Sequence, residues 1–104
     1  MSKSPFEVEL LPRAAKDLKA LKHHEAQAIR EILKFEDNPE LGHALQGSLH
    51  GVRALEFTLK GSVAYRAVYT IVDEQRVCVV FLVGPHENIY KRAERRWESV
   101  KKQL

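Results

Sequence analysis

The apolar positions change period several times along the chain. Phe6-Glu7-Val8-Glu9-Leu10-Leu11 alternates apolar and acidic residues, the period-2 pattern of a half-buried strand. Pro12 suits the first turn of a helix, where a missing N–H costs nothing. Leu18 and Leu21, with Ala14 and Ala15 a turn earlier, give that helix a narrow apolar stripe. A second helical pattern runs from about His24 to Glu36, with Ala28 or Ile29, Ile32, Leu33 and Phe35 facing inward. Asp37-Asn38-Pro39 stops it, because the residue before a proline avoids the helical region. The two helices read as an αα-hairpin. From Glu40 to Gly51, Gly42, Gly47 and Gly51 among scattered leucines predict an irregular but anchored connection.

Three strands follow. Val52 to Lys60 sets Arg53, Leu55, Phe57 and Leu59 on one face and Ala54, Glu56 and Thr58 on the other. Gly61-Ser62 makes a tight turn into Ala64–Val72, and Asp73-Glu74-Gln75 makes the next. Arg76 to Val83 is almost continuously apolar, as a strand covered on both sides must be. Gly84-Pro85 breaks it. A closing helix is expected from about His86 to Lys102, docked through a stripe of Ile89, Ala93, Trp97, Val100 and Leu104. The order β-α-α-β-β-β-α predicts an α+β fold: a mainly antiparallel four-stranded sheet, an N-terminal helical hairpin on one face and a C-terminal helix. Its first strand would run parallel to a later one, and helices would pack on one face.

A chain of 104 residues makes one domain, residues 1–104. No apolar run approaches the roughly 20 residues needed to cross a membrane. Met1-Ser2-Lys3-Ser4-Pro5 leads straight into a strand with no signal peptide, and the lone Cys78 can build neither a disulfide framework nor a zinc site. These features point to the cytosol. The formal charge is a mild +3, but its distribution is uneven. From Pro85 onward, six cations (Lys91, Arg92, Arg95, Arg96, Lys101, Lys102) face three glutamates (Glu87, Glu94, Glu98). The whole excess therefore sits at one end, and residues 1–84 balance at eleven of each sign. Such a basic patch attracts phosphate, and nucleic acid, RNA above all, is the partner it suggests. A solvated helix face is the plainer account of the same residues.

Candidate chemistry is sparse. The five histidines match no metal-ligand spacing, and neither a phosphate-cradling glycine loop nor a nucleophile with a nearby base is present. His86 falls where the apolar strand ends and a helix begins, near free backbone N–H groups at the positive end of the helix dipole. Tyr90 follows at i+4, which on a continuous helix would share its face. A histidine can exchange a proton near neutrality, and a tyrosine can hydrogen-bond phosphate or stack a base. Lys91, Arg92, Arg95 and Arg96 follow as phosphate contacts. Helix capping by His86 and interfacial packing by Tyr90 remain the structural alternatives. In Ala64-Tyr65-Arg66-Ala67-Val68-Tyr69, an arginine amid apolar residues must pair or line a groove. Glu56 on the preceding strand is a candidate partner.

Taken in order, these pieces resemble the RelE/ParE superfamily of toxins from bacterial type II toxin–antitoxin pairs. The segments that carry the likeness are Leu11-Pro12-Arg13-Ala14-Ala15-Lys16-Asp17-Leu18-Lys19-Ala20-Leu21, Leu45-Gln46-Gly47-Ser48-Leu49-His50-Gly51, Tyr65-Arg66-Ala67-Val68-Tyr69-Thr70-Ile71, and Val83-Gly84-Pro85-His86-Glu87-Asn88-Ile89-Tyr90. In that superfamily the RelE-like branch cleaves mRNA, usually in the ribosomal A site. The ParE-like branch inhibits DNA gyrase and has lost the nuclease residues. Arg66, with a histidine and a tyrosine at the sheet's end, leans toward RelE. So does the second helix, which lacks the Asp-and-Ala pattern of ParE-like chains.

The resemblance implies a metal-independent mRNA endonuclease without cofactor, which inhibits translation in the cytoplasm. Its partners would be a cognate antitoxin, mRNA and the ribosome, with operator DNA contacted only as the toxin–antitoxin complex and no membrane. Arg66 would stabilise charge on the phosphate, His86 would act as acid or base, and Tyr90 would position or stack the substrate. Arg53, Lys60, Lys91, Arg92, Arg95 and Arg96 would bind RNA. One departure concerns the strand before the Tyr-Arg motif, where relatives often alternate Lys or Arg. Here Ala54 and Glu56 stand instead, with Arg53 and Lys60 nearby. Glu56 is one candidate general base; His43, in the preceding loop, is the other.

Overall fold

The computed structural model describes residues 5–59, 61 and 64–104. Lys60, Ser62 of the expected tight turn, and the Met1-Ser2-Lys3-Ser4 start lie outside the described residues. The elements run β1 (Glu7–Leu10), α1 (Pro12–Lys19), α2 (Glu25–Leu33), β2 (His43–Ala44), β3 (Val52–Thr58), β4 (Ala64–Val72), β5 (Val77–Pro85) and α3 (Ile89–Val100). The sheet order is β1-β5-β4-β3-β2, with β1 parallel to β5 and the other pairs antiparallel. All four expected strands form. A fifth, the two-residue β2, pairs His43 with Ala54 and Ala44 with Arg53 at the sheet's edge. It is too short to show a period of its own.

Helices cover both faces rather than one. Ala14 and Leu18 of α1 and Ala28 and Ile32 of α2 bury themselves with Phe35 against Phe57, Tyr69, Cys78 and Val80. On the opposite face Ile89, Ala93, Trp97 and Val100 of α3 pack on Val52, Ala54, Val68 and Phe81. Their spacing of four, four and three residues makes one stripe down α3, and Trp97 stacks on Phe81 with ring centroids 5.6 Å apart. Because β5 lies between the two layers, both its faces must be apolar. Cys78 through Leu82 are buried without a break. Two stripe residues fall outside the core, Leu33 at the last turn of α2 and Leu104 beyond α3.

α3 also begins later than the sequence suggests. The His86 amide still donates to the carbonyl of Ala64, so the chain continues the sheet ladder at that point. Asn88 then turns it with φ of 56°, a left-handed conformation that asparagine tolerates better than most residues. His86 therefore lies outside the helix, and the i, i+4 relation to Tyr90 does not exist.

Candidate active site

The site lies on the α3 side of the sheet, at the end where β5 runs out. One row of the ladder crosses three strands there: Glu56 on β3 stands opposite Arg66 on β4, and Arg66 opposite Gly84 on β5. Directly opposed residues point to the same face, so the pleat gathers these positions. Tyr65, Ala67 and Tyr69 point the other way, into the α1–α2 core.

Arg66 is mostly covered, at 17% side-chain exposure, and its guanidinium is held on two sides. Nη1 donates to the Tyr90 hydroxyl from the first turn of α3, and the guanidinium carbon lies 5.0 Å from that ring's centroid. Nη2 donates to Glu56 Oε1 at 3.2 Å, and Glu56 itself is half exposed. Nε is buried with no hydrogen-bond partner, alone in this among the described side chains. An arginine offers Nε and Nη2 as one edge of its fork, suited to two oxygens of a single anion. Here Glu56 engages only half of that edge.

Gly84 completes the row. A Cβ built on it would lie 2.7 Å from Arg92 Nη1 and 3.3 Å from Ile89 Cδ1. The bare backbone is thus the seat on which the Arg92 guanidinium rests. His86, two residues on, is exposed in the turn before α3, and its side chain makes no hydrogen bond or ion pair with Arg66 or Tyr90 among the described residues. Lys91 and Arg95 are exposed on α3. Ser48 donates to Glu94 Oε2 at 2.6 Å, tying the 47–49 turn to α3.

Other expected site residues go elsewhere. Arg96 is engaged within the fold. Its Nη1 and Nη2 donate to both carboxylate oxygens of Asp17, at 2.7 and 3.3 Å, and Nη1 also donates to the Phe81 carbonyl at 2.9 Å. The cause is an open stretch of strand. β1 stops opposite Val80, which leaves the Phe81 carbonyl and the Val83 amide without a ladder partner on that side. Arg96 takes the carbonyl and Asp17 the amide, at 3.0 Å. Arg53 is likewise on the wrong face for this site. It donates to the carbonyls of Gly42 and Glu40 and lies by Tyr69, whose hydroxyl donates to Pro39 and accepts from the Gly42 amide. His43 stands two rows over, opposite Ala54, exposed at the sheet edge. Lys60 lies outside the described residues. No three His, Cys, Asp or Glu side chains come together to hold a metal ion among the described residues, and no helix there is long and apolar enough to cross a membrane.

Sequence reasoning missed Asp17 and the Gly84–Arg92 seat. Nothing local marks Asp17 as the partner of a residue 79 positions away. Gly84 did carry a signal, a glycine closing an apolar strand, since such a position often admits a close approach.

Comparison with known proteins fits this geometry. No curated protein sequence matches the chain. Among solved structures, an arginine-to-alanine double variant of Escherichia coli RelE in the free state is 26% identical, with a TM-score of 0.68 over 98% of this chain and 100% of that one. The toxin–antitoxin complex RelBE2 from Mycobacterium tuberculosis aligns at 24% identity and a TM-score of 0.66, covering 79% and 99% of the two chains. The intact E. coli RelBE complex follows at 20% and 0.63, covering 79% and 98%. The chain thus has the RelE fold. The model of the ParE-like toxins of type II bacterial toxin–antitoxin systems matches residues 8–94. With most of its length so matched, the chain belongs to that toxin family.

Proposed function

We propose that this toxin cleaves mRNA without a metal, on the ribosome, and that a cognate antitoxin neutralises it. One observation carries the reading. Arg66 is fixed by Tyr90 beside a carboxylate, with its buried Nε unpartnered. A buried donor without a partner costs about 1–3 kcal/mol, and a phosphate non-bridging oxygen would satisfy it. Solved relatives captured as toxin–antitoxin complexes support the antitoxin partner.

In the reaction, the ribose 2′-oxygen attacks the adjacent phosphorus and the bond to the 5′-oxygen breaks. A 2′,3′-cyclic phosphate and a 5′-hydroxyl end result. Glu56, within one hydrogen bond of the guanidinium that holds the phosphate, takes the 2′ proton. His43, two rows away, is the other candidate for that role. Arg66 stabilises charge on the pentacoordinate phosphate. His86, exposed in the turn before α3, gives its proton to the leaving oxygen. Tyr90 orients Arg66 and stacks a base. Lys91 and Arg95 hold neighbouring phosphates, and Arg92 adds a further cation to the RNA-binding face.

Primer extension on translating ribosomes tests this. Wild-type protein is expected to produce discrete cleavage ends, and Arg66→Ala to lose roughly a hundredfold or more in rate, the usual cost of one charge-stabilising donor. His86→Ala should lose a comparable factor through the missing acid. A second reading, a gyrase inhibitor without nuclease activity, is favoured by the ParE-like character of the matching family. It takes over if the wild type leaves mRNA intact while DNA supercoiling by gyrase falls.

A further inference from the structure

The geometry points to a two-guanidinium seat for one RNA phosphodiester, in which Gly84 is a positioning residue that sets Arg92 beside Arg66. This rests on the RNA-binding reading of the face and names the groups that grip the phosphate. Arg66 stands opposite Gly84 in the ladder, so its side chain and the missing Cβ of Gly84 belong to the same face of neighbouring strands. The space that Cβ would fill is taken by Arg92 Nη1. Arg92 is half buried yet makes no side-chain hydrogen bond or ion pair among the described residues. Two cationic side chains thereby share one face of neighbouring strands, and the only carboxylate bonded to either, among the described residues, is the half-exposed Glu56. Such a pair repels until an anion enters, and a phosphodiester presents two non-bridging oxygens, one for each guanidinium. Arg95 and Lys91, exposed on α3, meet only the flanking backbone.

Gly84→Ala tests the seat because it removes no charge. The new methyl meets the flexible tip of Arg92, which can swing away, and asks the Ile89 side chain to yield by only a few tenths of an ångström, so the fold survives while the guanidinium leaves its place. The probe is a short 2′-O-methyl oligoribonucleotide, which cannot be cleaved, followed by fluorescence anisotropy over a range of salt. Arg92→Ala should weaken binding roughly tenfold and flatten the slope of log affinity against log salt by about 0.7, the loss of one single-strand phosphate contact. Gly84→Ala should do nearly the same. Combined with Arg92→Ala it should add nothing further, because both changes remove one contact. Arg92→Lys should recover part of the affinity.

A general loss of structure would instead add to the Arg92→Ala effect and lower thermal stability, which would overturn the proposal. So would unchanged affinity and slope in Gly84→Ala, or a wild type that does not bind the probe at low salt. Cleavage is read separately. Wild type that binds through the seat yet leaves mRNA intact keeps the seat and removes the nuclease reading. Cleavage that persists at full rate in both single variants removes the seat and keeps the nuclease.

Discussion

Arg66 and Arg96 each face a carboxylate, and the two pairs do opposite things. Arg96 and Asp17 are 14% and 13% exposed, with both carboxylate oxygens engaged and each partner also holding a backbone group of β5. Three of the guanidinium's donor bonds are thus spent inside the fold. The pair ties α1 on one face to α3 on the other around the strand's open edge. Arg66 meets a carboxylate that is 51% exposed, through one hydrogen bond, and keeps a buried Nε without a partner. That pair is unfinished. A cation near a basic patch therefore says little about binding by itself; how completely its donors are already satisfied decides whether it holds the fold or waits for a substrate.

The sharpest way to break this contrast is Asp17→Ala. It strands the Arg96 guanidinium and uncovers the Val83 amide in a place water reaches poorly. Removing one partner of a buried pair costs about 3–5 kcal/mol, which for a domain of this size lowers Tm by roughly 10 °C or more. Urea and thermal melts followed by circular dichroism check it. A loss under about 1 kcal/mol, the range of exposed pairs, would put Arg96 back among the free surface cations.

That contrast was not legible in the sequence, although most of the fold was. The period-2 runs at Glu7–Leu10 and Val52–Thr58, the unbroken apolar run to Val83 and the stripe from Ile89 to Val100 mark their elements through burial, which leaves its trace residue by residue. Arg66 and its partner Glu56 could be paired because strand register is regular. Arg96 could not. On a helix it looks like Arg95, and what separates them is an unpaired strand edge created by where β1 stops. The start of α3 was misplaced for a similar reason, since the His86 amide answers to Ala64, 22 positions back along the chain. Long-range hydrogen bonds leave no local pattern.

Alkali sharpens the comparison without touching either pair. Arginine stays charged beyond pH 12, so any loss between pH 9 and 11 must come from elsewhere. Burial raises the Cys78 thiol from its ordinary 9.0 to about 11, with Asp73 adding to the shift, and burial also raises Tyr69. The unfolded chain sheds the thiol proton first, so it binds fewer protons than the folded chain in that window and stability falls as pH rises. The stability is fully present below pH 9. The loss by pH 11 is expected at about 2 kcal/mol, read from urea midpoints across the range. Cys78→Ala should flatten the part below pH 10. A loss that persists there in that variant would mean that a group other than the thiol carries it, with Tyr69 the first suspect.

Glu56→Gln should change stability least and separate the pairs most. The carboxylate is half exposed and makes a single contact, so its loss is expected to cost under about 1 kcal/mol. Its removal also takes away the anion that competes with phosphate for Arg66, and affinity for the uncleavable oligoribonucleotide should rise about threefold, since freeing one screened charge is worth a fraction of a kcal/mol. If Glu56 is also the base, cleavage falls by roughly a hundredfold or more while binding tightens, a split that no loss of structure can imitate. Should cleavage hold while binding tightens, the base lies elsewhere and His43 is the next to change. Should binding weaken instead, Glu56 holds Arg66 in place as Asp17 holds Arg96, and the two pairs differ only in how deeply they are buried.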